Sequence, residues 1–402
     1  MSELKNELYE ALLREIDLGT EVSDEELYRL IDAMIFRRGN AEGWSYDEKK
    51  RHREALFSSL RRLDILSIAM DDETVTEIMV NGPENLFVEK NGRLELYDEA
   101  FTTKEKLSDV VQQIASRVNK RINEASPMVD ARLSDGSRVN IVVPPIAIDG
   151  PAVTIRRFAK EPISMESLIS WGAISREAAE FLKKLVESGY NIFISGGTGA
   201  GKTTFLGALA EYIPEDERVI TIEDSAELRL RNVKNLVRLE SRPPNLEGDY
   251  EISIRDLIRN ALRMRPDRII VGEIRSEEAL DMLQAMNTGH DWSHSTGHAN
   301  SAIDMVSRIE TMVLMGRDLP LLAIRKQIAA GIDIFIHLGR LRDKSRKVLG
   351  IYEVLGLCEG EVKLEPLFEF EERGEKNGKI EGALVPSGRP LAHQEKLKRR
   401  FG

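Results

Sequence analysis

The chain has 402 residues, 42% of them hydrophobic and 31% charged, with a net charge of −11. That length supports two or three domains with real cores, and the apolar share excludes a disordered chain. The acidic balance argues against a dedicated nucleic-acid binder, which needs a basic excess, so no direct nucleic-acid binding is expected.

Residues 1–62 read as two or three amphipathic helices, because Ser23 with Glu26 and Ser45 with Glu48 both have capping-box spacing ahead of periodic stretches. This N-terminal helical module carries no visible chemistry and reads as a docking or packing element. Its first residues lack the apolar core of a signal peptide. Residues 63–160 switch to short strands, expected at 76–80, 86–89, 93–97, 128–133, 138–143 and 153–158, with a helix over 104–119. Asn81-Gly82-Pro83, Asn91-Gly92 and Asp135-Gly136 supply the turns. The result is an α+β domain with a mixed or antiparallel sheet. The apolar run 141–148 is far shorter than a bilayer span and is broken by Pro144 and Pro145. Arg156 and Arg157 close this domain, where a guanidinium can act as an arginine finger on a nucleotide of its own or a neighbouring subunit. Residues 161–174 read as a linker.

From 175 to 402, helices and strands alternate as in a parallel α/β sheet. A helix over 175–187 precedes a strand at 191–195 that opens into Gly196-Gly197-Thr198-Gly199-Ala200-Gly201-Lys202-Thr203-Thr204. Gly196, Gly201, Lys202 and Thr203 have P-loop spacing. The glycines let backbone N–H groups converge on phosphate oxygens, and the helix that follows, expected over 205–212, presents its positive end to the same anion. Lys202 is placed for the β- and γ-phosphates of ATP, and the Thr203 hydroxyl for the Mg²⁺ shell.

A strand at 218–223 ends in Glu223 and Asp224, and another at 268–271 leads to Glu273. Ligands of such sheets sit beyond the carboxyl ends of the strands, so these carboxylates belong near the phosphates. Glu273 there can orient an attacking water or join Thr203 and Glu223 around the metal. The helix at 252–262 carries Arg255, Arg259 and Arg263 on one face, expected to be solvated or subunit-facing. After a helix at 277–287 come His290, His294 and His298, whose even spacing invites a zinc reading. There is no HExxH, however, and Gly289 and Gly297 point to loops around a short strand; sensing of a γ-phosphate suits His298 better. A helix at 301–312, strand pairs at 348–358 and 362–370, and a basic tail at 396–400, read as a solvated end, complete the chain. The lone Cys358 can form no intramolecular disulfide, which suits a reducing cytoplasm.

With these residues assembled, the chain resembles the secretion ATPases of type II and type IV systems, most closely the CpaF family of tight-adherence (Tad/Flp) pilus ATPases. The resemblance rests on 75–82, 124–129, 135–140, the P-loop, 221–228 (the family's acidic box), 265–275 and 295–301 (its histidine box), in the family's order. It implies a RecA-like P-loop NTPase domain over 175–402, preceded by a PAS-like α+β domain. It further implies a homo-hexameric ring that binds ATP and Mg²⁺ between the two domains and turns hydrolysis into rotation of the first against the second. By the same resemblance Lys202 and Thr203 act on phosphate and Mg²⁺, Glu223 and Glu273 act in catalysis, and His298 couples nucleotide state to conformation. The implied partner is a polytopic inner-membrane platform protein, which recruits a cytoplasmic motor to the cytoplasmic face of that membrane. In one departure, Trp292 stands where a glycine is expected and His294 where an apolar residue is; positive φ at 292 would strain a tryptophan. Two other readings are a type IV secretion traffic ATPase and a nucleotide-dependent regulatory or scaffold protein with weak hydrolysis. A small-molecule kinase would need no strand-rich first domain and would run as a monomer.

Overall fold

The computed structural model describes residues 2–15, 23–61, 63–90, 92–157, 162–242, 244, 250–287 and 293–402. The chain divides into two compact units, Met1–Lys160 and Glu161–Gly402.

The first unit begins with α1 (Ser2–Glu15), α2 (Asp24–Glu42) and α3 (Tyr46–Arg61). Ser23 Oγ accepts the N–H of Glu26 at 3.2 Å. Ser45 and Glu48 satisfy each other: the Ser45 N–H donates to Glu48 Oε2 at 2.7 Å, and the Glu48 N–H to Ser45 Oγ at 3.3 Å. The apolar faces close on Leu8, Leu12, Leu27, Ile31 and Leu56, a core of their own. Then follow α4 (Ile65–Asp71), β1 (Val75–Asn81), β2 (Leu86–Lys90), β3 (Arg93–Leu96), α5 (Lys104–Arg117), β4 (Met128–Arg132), β5 (Arg138–Val142) and β6 (Ala152–Arg156). These strands form one sheet in the order β3-β2-β1-β6-β5-β4, antiparallel at every pairing. Lys90 pairs with Arg93 across a two-residue turn whose Gly92 has φ +75°, while Asn91 lies outside the described residues. Period-two alternation sends Ile78, Val80, Val88, Val139, Ile141, Val153 and Ile155 into a second core with Leu107 and Ile114 of α5.

The second unit comprises α6 (Met165–Ser170), α7 (Arg176–Glu187), β7 (Ile192–Gly196), α8 (Lys202–Ala210), β8 (Arg218–Glu223), β9 (Asn235–Glu240), α9 (Ile254–Ala261), β10 (Arg268–Val271), α10 (Glu278–Asn287), β11 (His294–His298), α11 (Ala302–Gly316), α12 (Leu321–Gly331), β12 (Ile334–Arg340), β13 (Arg346–Cys358), β14 (Glu361–Lys376), β15 (Lys379–Pro386) and α13 (Glu395–Phe401). Its sheet runs β15-β14-β13-β12-β7-β11-β10-β8-β9, parallel from β12 to β9 and antiparallel from β12 to β15. Helices cover both faces, so β7 is buried along its whole length. Ile192 and Ile194 enter one core with α7 and α8, whereas Phe193 enters the other with α10 and α11. The fold is the mixed α/β architecture expected, with an α+β first unit and a largely parallel sheet in the second.

Three expectations need correction. Residues 161–174 are not a free linker, because α6 lies in them and Met165, Leu168 and Ile174 are buried in the core of the second unit. The basic tail is not merely solvated: α13 is pinned by Lys396 Nζ to Asp333 Oδ2 at 2.7 Å, and the chain ahead of it by the Tyr190 hydroxyl donating to the His393 carbonyl at 2.6 Å. The arginine stripe of α9 is likewise engaged: Arg255 pairs with Glu277 at 2.6 Å and Asp281 at 2.9 Å, and Arg259 with Asp281 at 2.8 Å. Arg263, the third residue of the stripe, is exposed. β9 and β12 were not anticipated, although β12 is the strand directly beside β7.

Candidate nucleotide site

The turn between β7 and α8 has the backbone its glycines permit. Gly199 and Gly201 adopt φ of +72° and +92°, left-handed values that cost little only for glycine. Gly196 is required for a different reason: a Cβ there would lie 2.6 Å from the Leu338 carbonyl, so β7 and β12 could not approach. α8 then starts at Lys202, with half-buried Thr203 and Thr204 in its first turn.

The Lys202 side chain is only 7% exposed, so its charge needs acceptors. Nζ donates to the carbonyls of Gly196 and Gly197 at 3.2 and 3.3 Å and to His298 Nδ1 at 3.1 Å. An ammonium can only donate, so His298 Nδ1 is the acceptor and the ring proton resides on Nε2. That nitrogen lies 2.7 Å from Glu273 Oε1. Burial, joined by the Lys202 charge, holds the His298 pKa below its ordinary value against the opposing pull of Glu273. A neutral imidazole therefore accepts from Lys202 and lies against Glu273, whose Oε1 makes no hydrogen bond among the described residues and stands 4.0 Å from Lys202 Nζ. The other Glu273 oxygen accepts from Arg275 Nε and Nη2 at 2.8 and 2.6 Å, and Arg275 Nη1 reaches Asp224 at 3.0 Å.

β8 delivers Glu223 beside this chain of contacts, with its Cγ 2.9 Å from where a Cβ on Gly272 would stand. Its Oε2 accepts the N–H groups of Glu227 and Leu228 at 2.8 and 2.9 Å. Its buried Oε1 has no hydrogen-bond partner among the described residues. Burial pushes this carboxyl up to about 7 despite the two donors.

The structure thus brings together Lys202, His298, Glu273 and Asp224, and adds Arg275. Two further residues escaped sequence reasoning. His337 of β12 sits with Nδ1 2.9 Å from the Ser195 hydroxyl, at the root of the turn. Arg346 of β13 donates from Nε to the Gly199 carbonyl at 2.8 Å. Both come from strands remote in sequence and carry no local signal. Arg156 and Arg157 belong to the first unit. Arg157 Nη1 is committed to the carbonyls of Asp72 and Val75, the latter at 2.8 Å, whereas the exposed Arg156 has Glu77 at 3.8 Å.

Among the described residues no group of three or more His, Cys, Asp and Glu is placed to hold a metal ion, and the zinc reading also takes in His290, which lies outside them. His294 is wholly buried in β11, its pKa pushed down to about 3 by desolvation, so it is neutral. Gly297 lies within β11, not in a loop: a Cβ there would meet Met305 of α11 at 2.8 Å. His290, Gly289 and Trp292 lie outside the described residues.

Comparison with known proteins gives a consistent picture. A family model described as "Type II/IV secretion system protein" matches residues 62–379. Conjugal transfer protein TrbB of Rhizobium radiobacter is 31% identical over 313 residues, covering 77% of this chain and 93% of that protein. Type IV secretion system protein VirB11 of Bartonella henselae is 29% identical over 336 residues, covering 74% and 94%. Among solved structures, the pilus retraction motor PilT with bound ADP has a TM-score of 0.54 at 20% identity, covering 85% of this chain and 87% of that one, a likeness of fold.

Proposed function

The chain belongs to the type II/IV secretion system protein family, and on that premise we propose that it is a Mg²⁺-dependent ATPase that performs mechanical work on a membrane-embedded pilus or secretion assembly. The observation that carries the reading is the cluster of Lys202, His298 and Glu273 at the mouth of a P-loop turn. Residues 196–204 supply converging N–H groups and the N-terminus of α8 for the phosphates of ATP. Lys202 exchanges the carbonyls of Gly196 and Gly197 for phosphate oxygens. A Mg²⁺ ion needs hard oxygen donors, and the Thr203 hydroxyl with the carboxylates of Glu223 and Glu273 fits that chemistry. When bound, the ion neutralises charge on the transferring phosphate. Glu273 orients the attacking water and takes its proton, held for this by Arg275 on one oxygen while the other, beside His298, is left without a hydrogen bond among the described residues. His298 registers nucleotide through the Lys202 hydrogen bond that it gains or loses.

In this reading the protein is a cytoplasmic homo-hexamer, recruited to the cytoplasmic face of the inner membrane by a polytopic platform protein. No helix among the described residues is long and apolar enough to cross a membrane. The CpaF-like motifs favour a Tad/Flp-type pilus as the load; the names of the TrbB and VirB11 relatives favour a type IV secretion traffic ATPase. Arg156 is assigned as the arginine finger in preference to Arg157, whose guanidinium already holds β1. The test is ATP turnover measured across size-separated fractions. Mg²⁺-dependent turnover should concentrate in the hexamer-sized fraction, and Arg156→Ala should keep nucleotide binding while losing about three powers of ten in rate. Turnover confined to monomers would refute the motor, and parental turnover in Arg156→Ala would refute the finger.

A further inference from the structure

The P-loop turn is gripped at a backbone carbonyl by an arginine from β13, two strands away from β7 in the sheet. Arg346 opens β13, paired with Arg340 across the hairpin 341–345. Its Nε donates to the Gly199 carbonyl at 2.8 Å, and its Cδ lies 3.5 Å from where a Cβ on Gly201 would stand, so the side chain runs along the turn. The hairpin is a firm mount. Asp343 accepts from the Ser345 N–H and hydroxyl at 3.0 and 2.6 Å and from the Ile380 N–H of β15 at 2.8 Å. On the other side Lys347 Nζ donates to the Gly172 carbonyl at 2.7 Å.

Taken with the nucleotide-site reading above, on which this inference rests, we propose that Arg346 is a positioning residue that fixes the peptide between Gly199 and Ala200 for phosphate binding. The two ends of a trans peptide point in opposite directions. With its carbonyl held outward by Arg346, this peptide directs its N–H inward, where Ala200 donates to the Gly197 carbonyl at 3.2 Å. The same carbonyl accepts Lys202 Nζ at 3.3 Å. When Lys202 moves to phosphate, the Gly197 carbonyl loses one of its two donors and the turn is less firmly tied, so the peptide next to a left-handed glycine rotates more readily unless its other end is held. A rotated peptide would aim a carbonyl dipole at the phosphates. Arg346 prevents this from outside the cradle, without touching the transferred group.

The cost of losing such a grip falls on binding, and equally for di- and triphosphate, because the turn cradles the phosphates the two share. The experiment uses the full chain, fluorescent ADP and a fluorescent non-hydrolysable ATP analogue, with steady-state ATP kinetics alongside. Arg346→Ala should weaken both nucleotides by a similar factor, about tenfold for one charge-assisted hydrogen bond, and raise KM in step. Most of kcat at saturating ATP should remain. Arg346→Lys, which can still donate one bond to the carbonyl, should recover part of the affinity. Unchanged affinity in Arg346→Ala would overturn the proposal. So would a loss confined to the ATP analogue, which would mean direct contact with the γ-phosphate, or a loss of kcat at parental affinity. A parental chain that binds neither nucleotide would instead remove the nucleotide site itself.

Discussion

Glu223 illustrates how a single buried carboxyl records its surroundings. Its pKa of about 7 arises from desolvation at the end of β8, opposed by the backbone donors of Glu227 and Leu228. In the unfolded chain it titrates near the ordinary carboxylate value, so between the two the folded state holds a proton that the unfolded state has released. Stability therefore falls as pH rises through that window and stays low above it. Glu223→Gln removes the titration. In urea unfolding of the nucleotide-free chain, the variant should gain on the parent from about pH 5 to about pH 8, by up to about 3 kcal/mol. A difference that stays constant over that range would show that Glu223 titrates as an exposed acid. Residue chemistry was legible in the sequence where it is local: glycine spacing alone sets the turn at 196–204, and Glu273 ends an apolar strand. It was not legible for Arg346, which meets Gly199 from 147 positions away, nor for His337, because β12 was not foreseen.

Among elements, α1, α2 and α3 stand apart by their packing. They bury Leu8, Leu12, Leu27, Ile31 and Leu56 against one another, while the sheet of the first unit closes its own core with α4 and α5. A chain that begins near Leu63 should therefore fold, form the ring and turn over ATP, but lose membrane recruitment or pilus output if these helices are the docking surface. A folded but inactive truncated chain would place the helices in the catalytic assembly instead, and undiminished recruitment would place docking elsewhere. Periodicity located these helices and most strands, since each buries a face that repeats along the sequence. It could not say what a face meets. The α9 arginines look like a solvated stripe until Glu277, just ahead of α10, and Asp281 within it come against Arg255 and Arg259, and 161–174 looks like a linker until Met165 and Leu168 enter the core.

For the whole molecule, the order of the strands does the assembling. Parallel pairing of β8, β10, β11 and β7 brings their carboxyl ends to one edge, and with them Glu223, Glu273, His298 and Gly196. Residues spread over about a hundred positions thereby become one site, which a reader of the sequence can anticipate from the α/β alternation but not measure. In the proposed mechanism Glu273 acts on the reacting water, and binding of the nucleotide does not depend on its charge. The most direct measurement is ATP binding and turnover of the full chain and its Glu273→Gln variant under the same conditions. Glutamine keeps size and polarity but cannot take a proton, so binding should persist while turnover falls by about two or more powers of ten. Near-parental hydrolysis by Glu273→Gln would contradict the account.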